Sequence, residues 1–183
     1  MIEHMNDILY PVPKHIFWFY GIETQTVKRL NKRNNVTTVK GIPTQGFDDY
    51  MLADSLFVID DLLLESCSNK HITNLFCRQA HHNRITCILI TQDLFCNGSQ
   101  RKTFLRNAQY LCLFKNPLDL SIVYSVAQKI MPKNVNLFLN MYNRAVSIGR
   151  YLFIDGTVNG SQNARFRTNL FGKYQNVFIC KTN

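Results

Sequence analysis

The sequence is short of acidic residues, of long apolar runs and of paired cysteines, and each shortage removes a class of protein. No stretch approaches the roughly 20 consecutive apolar residues that a membrane-spanning helix needs, so no membrane partner is expected. The N-terminal stretch MIEHMNDILY carries acids where a secretory signal would carry bases. The six cysteines include no C-x-x-C pair and mostly lie in apolar runs. With no signal before them, a disulfide scaffold is excluded and a reducing, intracellular compartment is expected. No Gly/Ser/Pro-rich linker and no internal repeat divides the chain, so residues 1–183 are read as one domain. What is present is a globular composition, 46% apolar and 12% aromatic. Twenty-one Lys and Arg against twelve Asp and Glu give a formal charge of +9, which favours a polyanionic partner, nucleic acid being the natural candidate.

Short apolar runs alternate with helical patterns along the chain. Strands are expected at His15–Tyr20 (HIFWFY), Val36–Val39, Ser55–Ile59 (SLFVI), Thr86–Ile90 (TCILI), Gln109–Phe114 (QYLCLF) and Tyr151–Ile154 (YLFI). Helices are expected over Thr24–Asn34, Gln45–Ala53, Leu62–His82, Leu118–Ile130 and Val135–Ser147, with Pro132 ending the fourth. A loop over 157–164 precedes one or two short strands in 165–182. Strands alternating with helices, each continuously apolar, predict an α/β fold with a mostly parallel sheet flanked by helices.

In such sheets a ligand sits beyond the carboxyl ends of the strands. The residues leaving the strands here are Asp60–Asp61, Thr91–Gln92 and Lys115–Asn116. The run LFVIDD fits a Walker B strand, whose first carboxylate holds Mg²⁺ through its waters and whose second polarises an attacking water. Asp61 is one methylene shorter than the Glu more usual at that second position. A strand end followed by a helix N-cap would also place Asp there. Gln92, on a neighbouring strand, suits a sensor of a terminal phosphate.

The blocks PVPKHIFWFYG, LFVIDDL, HHNRITCILITQDLF, NAQYLCLFKNPLD, AQKIMP, FLNMY, YLFID and RFRTNLF follow one another along nearly the entire chain. In their order and spacing they resemble the FtsK/HerA-type packaging ATPases of adintoviruses, adomaviruses and polinton-like elements, distant relatives of the poxvirus packaging ATPase. The resemblance implies a P-loop NTPase core, with Asp60 at the magnesium position, Asp61 at the catalytic acidic position and Gln92 as the phosphate sensor. Asn107 and Lys115 fall on family motif positions. Arg101, Lys102 and Arg106 become candidates for an arginine finger or a DNA contact. Leu118 stands where the family tends to an arginine. The implied cofactors are ATP and Mg²⁺. The implied partners are double-stranded DNA, other copies of the chain in a homo-oligomeric ring, and a capsid or portal vertex, in the host nucleus or at a viral assembly site.

The string G-x-x-x-x-G-K-[ST], whose backbone N–H groups would cradle the phosphates, does not occur. In the family it lies just before the helix that leads into PVPKHIFWFYG, so Met1 is expected to fall inside that helix, with the first strand and the cradle missing. The sheet is then expected to be interrupted between the strands ending at Gln92 and Phe114, or closed up there. The functional expectation is a DNA-translocating packaging ATPase domain in incomplete form. An inactive remnant serving as a DNA-binding or virion-assembly module is the alternative. Cys77, His81, His82 and Cys87 do not have the spacing of a standard zinc site. Lys28, Arg29, Lys32 and Arg33 lie on a polar helix that is either solvated or a DNA contact.

Overall fold

β1 (His15–Tyr20), β2 (Val36–Lys40), β3 (Ser55–Asp60) and β4 (Thr86–Ile90) form a four-stranded sheet in the order β2-β1-β3-β4, every pair parallel. The computed structural model describes residues 5, 9–62, 69–92, 106–117 and 120–180. The chain gathers into two compact units, Met1–Asn107 and Ala108–Asn183.

In the first unit, period-2 alternation loads both faces of the sheet. Phe17, Phe19, Phe57 and Ile59 face Ile72 and Leu75, together with Phe47. Ile16, Trp18, Leu56 and Val58 face Val27 and Leu30. Ile72 and Leu75 belong to a helix that runs through Lys70–Asn74, a π-helical turn at Leu75–Gln79 and Ala80–His82, here α2. Val27 and Leu30 belong to α1 (Gln25–Leu30), which Thr24 caps by accepting from the Val27 N–H. Helices therefore cover both faces, and Leu56, Phe57, Val58 and Ile59 are fully buried. An unbroken apolar run is the sequence signature of such a strand. At the amino ends of β3 and β4, Asp54 holds Arg84 (3.3 Å) and Lys14 (3.6 Å). This half of the chain is α/β, with a parallel sheet between helices.

The second unit departs from the expected mostly parallel sheet. β5 (Tyr110–Phe114), β6 (Tyr151–Asp155), β7 (Phe166–Thr168) and β8 (Asn176–Phe178) lie side by side in that order, every pair antiparallel. The reason is the connection. A single helix between two strands returns the chain to run parallel, whereas β5 is followed by two helices, α3 (Ser121–Ile130) and α4 (Val135–Gly149). A short turn around Pro132 joins these into a helical hairpin, so β6 runs opposite to β5. Both helices were legible in the sequence, and their even number was the signal for direction.

Among the described residues β4 pairs only with β3, and β5 only with β6. No helix among them is long and apolar enough to cross a membrane.

Candidate functional site

β3 delivers Asp60 and Asp61 at its carboxyl end, and β4 delivers Thr91 and Gln92 beside them. The register pairs Tyr20 and Ile90 with Asp60 on either side, so Gln92 leaves β4 two residues past the Asp60 rung. Asp60 is half-buried, whereas Asp61 and Gln92 are exposed. The parallel register thus brings the three predicted site residues to one end of one sheet. Arg106 is exposed; Arg101, Lys102 and Leu118 lie outside the described residues.

The close fit of this end depends on Gly21. Its N–H donates to the Asp60 carbonyl (3.1 Å), and a Cβ on Gly21 would collide with the Asp61 carbonyl oxygen. Asp61 itself has φ +54°, a left-handed conformation that Asp tolerates better than most residues. The turn after β3 therefore swings the second carboxylate out of the sheet and into solvent.

Electrostatically, Asp60 is poorly compensated. Burial pushes its pKa above the ordinary carboxylate range, the indole N–H of Trp18 opposes that rise, and the neighbouring Asp61 charge adds to it. Trp18 sits on β1 two residues before the Tyr20 partner of Asp60, on the same sheet face. Its N–H is near enough to favour the carboxylate, yet makes no bond of hydrogen-bonding geometry. Trp18 Nε1 is the buried side-chain polar atom without a partner among the described residues. Among those residues no Lys or Arg forms an ion pair with Asp60 or Asp61. Two carboxylates without a Lys or Arg partner among the described residues offer oxygen donors, the kind a hard divalent cation such as Mg²⁺ takes. Trp18 and Gly21 were hidden in the block PVPKHIFWFYG, because only the strand register shows that they abut Asp60 and Asp61.

The remaining sequence candidates fall elsewhere. Asn107 donates to the Cys77 sulfur (3.4 Å), and His81 and His82 stand exposed in the last turn of α2. Burial pushes the Cys87 thiol up to about 12, which opposes the thiolate that zinc requires. Lys28 and Arg29 are exposed on α1, and Lys28 approaches Glu23 (3.6 Å). In the second unit Asp155 forms a cluster that sequence reading passed over as a strand end. It accepts from the Thr157 N–H (3.0 Å) and hydroxyl (2.6 Å) and pairs with Arg167 (3.0 Å). Burial alone would raise its pKa, but the Thr157 bonds together with Arg167 and Arg165 hold it below the usual carboxylate range.

Comparisons with protein-family models, with curated proteins and with solved structures found no match to this chain.

Proposed function

We propose that the chain supplies the hydrolytic half of a P-loop-type ATPase that moves double-stranded DNA into viral capsids. The observation that carries this reading is the convergence of Asp60, Asp61 and Gln92 at the carboxyl end of two adjacent parallel strands. In a Walker B arrangement the sensor strand neighbours the carboxylate strand, as β4 neighbours β3. Asp60 is the group to hold Mg²⁺ through its waters, Asp61 the group to orient and polarise the attacking water, and Gln92 the group to sense the terminal phosphate. When bound, Mg²⁺ would neutralise charge on the phosphates. The poorly compensated Asp60 carboxylate fits that need, because a cation would relieve a charge that no Lys or Arg among the described residues pairs with. In this reading the working assembly is a ring of copies acting at a capsid or portal vertex, with Arg101, Lys102 or Arg106 reaching DNA or the next copy.

The 183 residues contain no G-x-x-x-x-G-K-[ST] cradle, so this chain alone is expected to show no ATP turnover. Magnesium-dependent release of phosphate by purified 1–183 would refute that expectation. Binding is the separate test. A rise in melting temperature with Mg·ATP that disappears with EDTA supports the motor reading.

A second reading, an inactive remnant that binds nucleic acid, draws on the distribution of charge. Residues 108–183 hold nine Lys and Arg against two Asp and Glu, a formal +7, whereas 1–107 hold twelve against ten, +2. Absence of any Mg·ATP effect on melting favours this reading.

A further inference from the structure

The sheet of the second unit has one covered face and one open face. The rungs Leu111–Ile154, Leu113–Leu152 and Ile154–Phe166 lie on one side. Of these, Leu113, Leu152, Ile154 and Phe166 are buried. The Phe138 ring of α4 meets Phe166 edge-on at 6.0 Å, and Thr168 donates to the Ala145 carbonyl of the same helix. The alternate rungs, Tyr110–Asp155, Cys112–Phe153, Phe114–Tyr151, Phe153–Arg167 and Arg167–Val177, share the opposite side. There Tyr110 is 53% and Phe114 67% exposed.

Those side chains form an ordered aromatic surface. Tyr110 stacks on Phe153 at 5.6 Å with 24° between the rings, and Phe114 lies against Tyr151 at 5.9 Å. The Tyr151 hydroxyl accepts from the Leu170 N–H (2.8 Å), which fixes its ring. The Arg167 guanidinium lies over Phe153 at 5.9 Å while its Asp155 ion pair and the Ala164 carbonyl hold it in place. The next rung, Lys115–Arg150, where the Lys115 N–H donates to the Arg150 carbonyl (3.0 Å), falls by the same alternation on the Leu113–Leu152 side. Both of these cations are exposed, and neither has a carboxylate partner among the described residues.

A soluble protein rarely leaves such a contiguous apolar surface without a use. Pre-set rings on a sheet, with the Arg167 guanidinium over one of them and in a unit of formal charge +7, match what unpaired bases require. Every base offers a π-face to stack, and every phosphate a charge to pair. A duplex keeps the faces of its bases stacked inside the helix, and an apolar protein segment would make no use of the unit's positive charge. We infer that the open face of β5, β6 and β7 is a stacking platform for single-stranded nucleic acid. Tyr110–Phe153 and Phe114–Tyr151 receive the bases, and the positive charge of the unit draws the backbone. This is independent of the magnesium site proposed on β3.

The test is fluorescence anisotropy of the full chain with a labelled oligothymidylate of about fifteen nucleotides, a matched abasic strand and a matched duplex. Wild type is expected to bind the thymidylate about tenfold or more tighter than the abasic strand, and tighter than the duplex. The double variant Tyr110→Ala/Phe114→Ala should lose about the same factor towards thymidylate while its affinity for the abasic strand stays unchanged. Circular dichroism and melting check that the variant folds. Were it unfolded, the wild-type comparison of thymidylate with abasic strand would still decide. Equal binding of thymidylate and abasic strand, a preference for duplex, or no binding to any strand each overturns the inference.

Discussion

The two units put their aromatic residues to opposite uses. In the first, Phe17, Phe19, Phe47 and Phe57 interlock edge-to-face between sheet and helices. In the second, Tyr110 and Phe114 face solvent on a sheet with helices against its other side. A parallel sheet made by strand–helix–strand crossovers is covered on both faces by its own connections. An antiparallel sheet built on one helical hairpin is covered once and keeps a face to spend on a partner. The contrast extends to charge, because +7 of the +9 belongs to the unit with the open face.

The largest expected effect tests that contrast in packing. Phe57→Ala should cost about 3–5 kcal/mol, because the ring is fully buried among Phe17, Phe19 and Phe47. Phe114→Ala should stay within about 0.5 kcal/mol. Chemical denaturation measures both, and similar losses would erase the distinction between the two faces. Next comes Gly21→Ala, expected to cost about 1–3 kcal/mol by forcing the new methyl against the Asp61 carbonyl. A neutral result would mean that the turn after β3 relaxes freely.

Asp155→Asn should cost about 1–3 kcal/mol by unpairing Arg167 and weakening the Thr157 bonds. It should also remove part of the acid sensitivity. The folded pKa of Asp155 lies below its unfolded value, so its contribution is present above the ordinary carboxylate range and is lost as pH falls through the lowered folded value. Melting curves at descending pH should therefore fall more steeply for wild type than for the variant. The smallest effect has the opposite sign. Asp60 is raised, so in magnesium-free buffer its contribution is favourable at low pH and is lost as pH climbs from the unfolded to the folded value. Asp60→Asn should accordingly leave stability at neutral pH unchanged or slightly higher. A clear destabilisation would show that the carboxylate serves the fold.

Much of the first unit was legible. The runs HIFWFY, SLFVI and TCILI are strands close to the expected limits, since a strand buried on both faces announces itself as an unbroken apolar run. The expected helix over Thr24–Asn34 is shorter, Gln25–Leu30. Val27 and Leu30 are its buried residues, and the polar residues beyond them have no core to hold a further turn. Asp60, Asp61 and Gln92 were singled out because they end apolar runs. Trp18 and Gly21 were missed, because their part is set by which strand lies beside β3. Sheet direction in the second unit was missed for a similar reason: YLFI and QYLCLF look alike whichever way they pair. The open face left a faint trace in QYLCLF, where Tyr110 and Phe114 alternate with Leu111 and Leu113. Only the position of α4 tells which set faces water.

Trp18 offers the most direct test of the central claim, that Asp60 is a magnesium carboxylate at the end of a parallel sheet. It is the one tryptophan of the chain, buried beside Asp60 with an N–H that has no hydrogen-bond partner among the described residues. Titration with Mg·ATP should change its emission, with no such change for ATP in EDTA or for the Asp60→Asn variant. Unchanged emission in wild type, or an equal change in Asp60→Asn, would contradict the account.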